Sequence, residues 1–148
     1  LEGEMLIAHG TLVLVVDGAK MAIFRNRGTD IAPALDEIET DHDYSPRTSV
    51  QGSDKPGRSF QSGNVGRSGY GEADLHQADE DRFAIAAVDR LAARAGADTA
   101  LIVIAPPHTL GVLREHYPAP VRAQIVAEID KDYAGRPGTD VAAMLATH

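Results

Sequence analysis

Two short apolar runs separated by an Asp-Gly pair restrict the fold of this chain more than any other feature. Residues 11–16 are rich in β-branched side chains, Asp17-Gly18 is a strong turn signal, and residues 21–24 resume the apolar pattern. Runs of this kind on either side of Asp-Gly are typical of a β-hairpin. The chain is therefore predicted to begin with two antiparallel strands.

A third strand and a long helix are predicted to follow. Residues 31–40 place two aliphatic side chains among acids, which indicates a half-exposed strand. Apolar residues then recur at every fourth position from Phe83 to Leu91. This spacing predicts a helix that an acidic N-cap starts at residue 74 or 79 and that Gly96 ends.

The last third of the chain predicts strands that alternate with helices. Residues 99–105 form a short apolar run of the buried-strand type, and two prolines end it before a second helix. Residues 121–133 show a four-residue repeat together with an alternating one, so we predict a short helical turn and then a strand over about 125–130. A terminal helix over 141–145 completes the pattern, with Thr139 as its N-cap.

The order β-β-β-loop-α-β-α-β-α predicts an α/β fold, a single domain in which helices pack on the faces of a mixed β-sheet. A chain of 148 residues with 43% apolar side chains suits one core. Because Trp is absent and aromatics are only 5%, that core is expected to consist of Val, Ile, Leu and Ala. We expect the domain to cover residues 5–148, with residues 1–4 outside it.

The absence of cysteine and of long apolar runs bears on location. No cysteine means no disulfide framework and no thiolate metal site, which favours a reducing, cytoplasmic compartment. The longest apolar runs, 11–16 and 100–105, are far too short for a spanning helix, and the N-terminus has no basic region followed by an apolar stretch. We therefore expect a soluble protein with no membrane contact and no export signal.

Residues 42–74 show hardly any apolar periodicity and predict a long Gly/Ser/Arg-rich loop. Within 47–70 there are five Gly, five Ser and four basic residues against one acid, while the whole chain has a net charge of −8. Cations on a flexible glycine backbone can follow a phosphate chain, and aromatic rings can stack on bases. The candidate RNA-binding residues are Arg47, Lys55, Arg58, Arg67, Phe60 and Tyr70.

A second candidate site lies where the predicted strands end. The turn over 105–111 puts His108 and Thr109 at a helix N-terminus after a buried strand, where α/β proteins often bind anions or place catalytic groups. The alternative is that the two prolines only set the start of the helix and that Gly111 only permits close packing. The candidate residues at these strand ends are Asp17, His108, Thr109, Arg114, Lys131 and Asp132.

Common catalytic signatures are missing from the chain. It has no Walker loop, no dinucleotide fingerprint, no Gly-x-Ser-x-Gly elbow and no His-Glu-x-x-His. Asp41, His42 and Asp43 are metal-ligand types, but three adjacent residues at a strand end cannot all face one ion, so we interpret them as the solvated entry to the loop. No catalytic residue is assigned, and neither a metal nor a cofactor is expected.

Several motifs together resemble the bacterial host attachment proteins, a family described as required for attachment to host cells. The similarity covers the chain from Leu12 to Leu145. The motifs that carry it are Val15-Val16-Asp17-Gly18-Ala19-Lys20, Ile23-Phe24, Lys55-Pro56-Gly57-Arg58, Arg82-Phe83-Ala84, Ala105-Pro106-Pro107, Leu110-Gly111, Leu113-Arg114, Val126-Ala127-Glu128 and Lys131-Asp132.

That family is in turn similar to the middle domain of archaeal and eukaryotic peptide release factors. The resemblance implies an RNase H-like architecture and a functional loop just before a long helix, the place that the Gly/Ser/Arg-rich loop occupies here. Release factors carry Gly-Gly-Gln in that loop, whereas the nearest run in this chain is Gln61-Ser62-Gly63. The resemblance therefore implies RNA or ribosome association without supplying a catalytic glutamine.

Three functional hypotheses remain open from the sequence. The first is a non-enzymatic domain that contacts RNA or a ribosomal complex through residues 47–70. The second is a hydrolase or nuclease-like enzyme with a site near Asp17, His108 and Asp132. The third is a protein-interaction module that acts indirectly in host attachment through a protein partner. The sequence does not indicate an oligomeric state.

Overall fold

The computed structural model of the protein describes the backbone of residues 6–43 and 65–148, and the side chains of residues 6–43 and 75–148. No helix in these ranges is both long enough and apolar enough to cross a membrane. The elements, in chain order, are β1 (Leu12–Val16), β2 (Lys20–Asn26), β3 (Leu35–His42), α1 (Val65–Arg94), β4 (Leu101–Ile104), α2 (Pro107–Arg114), α3 (Ala119–Gln124), β5 (Ile125–Ile129) and α4 (Gly138–Ala146).

A five-stranded mixed sheet organises the domain, with the strand order β3-β2-β1-β4-β5. The pairs β1–β2 and β2–β3 are antiparallel, whereas β1–β4 and β4–β5 are parallel. In the predicted hairpin, Val16 pairs with Met21, and the Asp17 carboxylate accepts the backbone N–H groups of Ala19 at 2.8 Å and Lys20 at 2.7 Å. The predicted α/β fold class is confirmed.

Apolar side chains cover the sheet on both faces. Leu14 and Val103 belong to one cluster, which α1, α2 and α3 cover. Val15 and Ile104, their neighbours along the strands, belong to a second cluster, which α4 covers. Because successive side chains of a strand point to opposite faces, the uninterrupted apolar runs of β1 and β4 are those of strands covered on both sides.

The edge strand β3 is held against α1 by ion pairs. Arg90 contacts Glu39 at 2.5 Å and Asp41 at 2.6 Å, and Arg94 contacts the second oxygen of Glu39 at 2.7 Å. A register shift in the β2–β3 pairing allows two successive residues, Ile38 and Glu39, to contact the α1 side of the sheet. These contacts fix the orientation of α1 across the domain.

Three predicted boundaries were wrong, and one of them is the start of the last helix, which begins at Gly138 with Pro137 as its N-cap instead of Thr139. Strand β3 covers 35–42 instead of 31–40, because backbone hydrogen bonds from Arg27 to Ala34 and from Thr29 to Ala32 close a turn over the first part of that segment. Helix α1 begins at Val65, so residues 65–74 of the predicted loop are helical despite three glycines. Extending an established helix costs far less than nucleating one, which offsets the poor helix propensity of glycine. Residues 44–64 of that loop lie outside the described residues.

Candidate functional site

The carboxyl ends of β1, β4 and β5 lie at one edge of the sheet because the three strands are parallel. Asp17 directly follows β1, His108 lies in the first turn of α2 after β4, and Asp132 follows β5 by three residues. The structure therefore brings these sequence-predicted positions to a common edge. Ligands of open α/β sheets bind outside this edge, so the side chains there are candidates for a site.

Asp17 has a structural role at this edge. One of its carboxylate oxygens accepts the N–H groups of Ala19 and Lys20, and its own N–H donates to the Lys20 carbonyl at 2.9 Å. These bonds close the tight turn between β1 and β2. A side chain used in this way orders the hairpin and is a poor candidate for a general base.

His108 has an acidic partner that the sequence prediction missed. Its Nε2 atom lies 3.3 Å from Oδ1 of Asp81 on α1, and the same oxygen accepts the side-chain amide of Gln77 at 3.0 Å. The neighbouring Glu80 packs over the β1–β2 turn, since a Cβ on Gly18 would lie within 2.7 Å of the Glu80 side chain. The acids near the predicted start of α1 were interpreted as caps, but α1 places them at the strand ends.

The remaining strand-end candidates do not join this pair. Thr109 is half-buried, while Lys131 and Asp132 are exposed and have no hydrogen-bond or ion-pair partner in the described part of the chain. Gly111 is not needed for close packing, since a Cβ there would meet no described heavy atom within 4 Å. That structural interpretation of Gly111 was wrong.

Arg114 belongs to a different cluster, six residues further along α2 than His108 and therefore about 9 Å away along the helix axis. Its Nε donates to Oε1 of Glu128 at 2.9 Å, and the Tyr117 hydroxyl donates to Oε2 at 2.7 Å. Burial, followed by the bond to Glu128, raises the pKa of Tyr117. The bond to Glu128 likewise raises the pKa of Arg114. The cluster joins α2 to the edge strand β5 and has a structural role.

Within residues 6–43 and 75–148, no three His, Asp or Glu side chains lie close enough to hold a metal ion. The strand-end edge thus offers one exposed imidazole–carboxylate pair and several solvated charges. This arrangement has no nucleophile beside a base, and it supplies no complete hydrolytic site from the described side chains.

Four of the six RNA-binding candidates lie outside the described residues: Arg47, Lys55, Arg58 and Phe60. Arg67 and Tyr70 lie within α1, three positions apart, with side chains outside the described part. The segment 44–64 connects the edge strand β3 to the 30-residue helix α1. Its position in the chain order is the one that the resemblance implied.

The fold and the comparison with known families define a release-factor-like α/β protein. Residues 10–145 match bacterial archaeo-eukaryotic release factor family 12, and the chain belongs to that family. No curated protein matches the chain. The release-factor part of the resemblance found in the sequence is confirmed, whereas the host-attachment part remains a prediction.

Proposed function

We propose that the protein is a translation-associated module that contacts RNA or a ribosomal complex through residues 47–70. The observation that carries this proposal is membership of a release factor family over residues 10–145. The match spans residues 10–145 and so includes the basic segment and both elements that flank it. The proposal assigns binding and no catalytic step.

The distribution of charge favours this segment over the remaining surface. Five of the ten Lys and Arg side chains in the described part of the chain form ion pairs at 3.0 Å or closer: Arg27, Arg82, Arg90, Arg94 and Arg114. Neutralised cations on an acidic protein attract a polyanion weakly. A nucleic-acid contact therefore falls on residues 47–70, where four basic residues face one acid.

The chemistry of the segment suits an RNA backbone. Arg58 and Arg67 offer guanidinium groups that can hold phosphate oxygens through paired hydrogen bonds, and three glycines that precede α1, Gly52, Gly57 and Gly63, favour close approach of the backbone to a phosphate chain. Phe60 and Tyr70 supply rings for base stacking. Four cations give a modest affinity that falls with salt, which fits a protein that relies on a larger assembly for specificity.

The test is recovery of ribosomal RNA from native lysate on the immobilised protein, with and without nuclease treatment. We expect ribosomal RNA to be retained and nuclease to release it, and we expect the double variant Arg58→Ala, Arg67→Ala to retain much less. Recovery of a protein partner that is insensitive to nuclease, without RNA, would replace this proposal with a protein-interaction role. Recovery of neither would overturn it.

A further inference from the structure

A polar groove of about 270 Å³ lies between strands β2 and β3 and the loop that leads from β5 to α4. Lys20 at the start of β2, together with Glu37 and Thr40 of β3, forms one wall. Gly135, Arg136 and Pro137, in the loop that leads from β5 to α4, form the other. The sequence predicted no binding site from these residues, although Lys20 belongs to a motif that carries the family resemblance.

Lys20 lines this groove and has no counter-ion among the described residues. A Cβ on Gly135 would lie 3.1 Å from the Lys20 Nζ atom and 3.5 Å from Cε, so the lysine chain runs directly over the glycine. Gly135 has φ of 90°, a conformation that favours glycine. Lys20 is exposed, and its ammonium group lies beside the loop with no compensating charge among the described residues.

Arg136 supplies a second oriented cation from the same loop. Its guanidinium carbon lies 4.5 Å from the centre of the Tyr133 ring, which it covers. Its only ion pair in the described part is a long one, 3.8 Å to Asp140, and its side chain is 53% exposed. Stacking orients the planar group, while most of its five donors stay available for a ligand.

The acids of the groove do not cancel these two cations. The Asp41 carboxylate, which also lines the groove, is committed to Arg90 at 2.6 Å, and that bond lowers its pKa. Glu37 is exposed and is the remaining acid of the lining. Among the described lining residues, the two cations Lys20 and Arg136 therefore outnumber Glu37, the one acid that is not held in a short ion pair, on an otherwise acidic protein.

The start of α4 adds to the positive side. Pro137 lines the groove and precedes the helix without a side-chain cap, and the N–H groups of Gly138 and Thr139 have no acceptor among the described residues. Unpaired N–H groups in a first turn favour a nearby anion, and Asp140 in the same turn already supplies one negative charge there. This contribution supplements the two side chains and is too small to create a site alone.

We propose that this groove binds a phosphate monoester of mononucleotide size, with Lys20 and Arg136 contacting the phosphate. Two cations with hydrogen-bond donors suit a doubly charged phosphate, and a guanidinium fork matches its oxygens. A volume of about 270 Å³ is just below the roughly 300–1,000 Å³ of typical small-ligand pockets, which suits a ligand no larger than a mononucleotide. The site goes beyond the proposed RNA contact and uses none of residues 47–70.

The test is isothermal titration calorimetry of the purified full chain, with adenosine monophosphate, adenosine and inorganic phosphate titrated in separate experiments. We expect the monophosphate to bind, adenosine to show no heat, and Lys20→Gln and Arg136→Gln each to weaken binding by about tenfold or more. The matched control is Lys131→Gln, which removes an exposed lysine outside the groove lining and should leave binding unchanged.

The possible outcomes separate the components of the site. Inorganic phosphate binding as tightly as the nucleotide would limit the site to the phosphate group, and tighter nucleotide binding would extend it to the nucleoside; both support the proposal. No binding of either at millimolar concentration, or equal weakening by Lys131→Gln, would overturn it. The variant Arg58→Ala, Arg67→Ala should keep nucleotide binding, and Lys20→Gln should keep RNA retention, so the two proposals fail independently.

Discussion

Asn26, a fully buried polar side chain at the end of β2, joins three separate parts of the chain. Its Nδ2 donates to the carbonyls of Ile7 at 2.8 Å and Ala8 at 3.2 Å, and its Oδ1 accepts the N–H groups of Gly28 and Ala34, each at 2.9 Å. One amide therefore fixes both the N-terminal segment and the loop between β2 and β3. A buried polar group with this many partners contributes to stability mainly because its partners have no other bonds available.

The substitution Asn26→Ala should lower the free energy of unfolding by about 3 kcal/mol, since it leaves buried backbone donors and acceptors unpaired. Urea denaturation monitored by circular dichroism measures this change. The control is Gln77→Ala, which removes an exposed amide and should cost less than about 0.5 kcal/mol. A cost for Asn26→Ala no larger than that of the control would show that the hydrogen-bond hub is not needed.

Two glycine-to-alanine substitutions should change the free energy of unfolding in opposite directions. At Gly28 a Cβ would lie 2.2 Å from the carbonyl oxygen of Ala32, so the backbone must move, and a loss of about 2 kcal/mol or more is expected. At Gly111, inside α2, a Cβ meets no described atom within 4 Å, so alanine should stabilise the protein by about 0.5–1 kcal/mol. Thermal unfolding of both variants tests the pair, and destabilisation by Gly111→Ala would contradict it.

Single-residue roles were only partly predictable from the sequence. The Asp17-Gly18 turn was predictable, because its signal is local and the Asp17 carboxylate accepts backbone N–H groups two and three residues away. The pairing of His108 with Asp81 was not, since it joins residues 27 positions apart and depends on where α1 crosses the sheet. The groove beside Lys20 was missed for the same reason, because its second cation comes from position 136.

At the scale of elements, the contact between α1 and β3 depends on Arg90, which bridges Glu39 and Asp41. We expect Arg90→Met to lower the free energy of unfolding by about 1–2 kcal/mol, more than an exposed pair because Glu39 is only 18% exposed. The control is Arg27→Met, which breaks an exposed pair with Asp36 and should cost less than about 1 kcal/mol. Equal costs in urea denaturation would mean that the network adds nothing beyond surface pairing.

The same ion pairs predict that the stability of the protein depends on pH in the acidic range. Hydrogen bonds from Arg94 and Arg90 lower the pKa of Glu39, and the bond from Arg90 lowers that of Asp41, from ordinary values of 4.5 and 3.8. Carboxylates with a lowered folded-state pKa stabilise the protein above their ordinary values, and this stabilisation is lost as the pH falls through the lowered values. The free energy of unfolding should therefore drop between about pH 5 and pH 3.

The double variant Glu39→Gln, Asp41→Asn isolates this contribution. We expect its free energy of unfolding to start lower at neutral pH and to fall less steeply on acidification than that of the unmodified protein. Denaturation at a series of pH values measures the two slopes. The variant Asp36→Asn, which alters an exposed pair on the same strand, should keep the original slope. Parallel curves for the double variant and the unmodified protein would contradict the assignment.

Elements with a local signal were predicted well, and those set by tertiary contacts were not. The hairpin, β4 and the change from helix to strand at residue 125 follow from apolar periodicity and turn residues. The first ten residues of α1 include Gly66, Gly69 and Gly71, so no propensity argument places them in a helix. The start of β3 depends on a turn over 27–34 that Asn26 orders from outside that segment.

At the scale of the whole molecule, the protein is acidic and its mixed sheet is covered on both faces. One segment of opposite charge, residues 47–70, follows the edge strand β3 in the chain and includes the first six residues of the longest helix described. The family comparison extends the release-factor resemblance across nearly the entire chain. The sequence predicted a mixed sheet with covering helices because the order of elements along the chain, the apolar runs and the basic composition of 47–70 are readable without tertiary information. The order of the strands within the sheet was not predicted. The central claim is that this segment, and not the acidic surface, contacts RNA.

The measurement that tests this claim most directly is the salt dependence of binding to a single-stranded RNA of fixed length, determined by fluorescence anisotropy. The double variant Arg58→Ala, Arg67→Ala should reduce the slope of log affinity against log salt by about 1.4, because two phosphate contacts are lost. The control double variant Arg27→Ala, Arg82→Ala removes the same charge from ion-paired, exposed positions and should keep the slope. An unchanged slope and affinity in the Arg58, Arg67 variant would contradict the account.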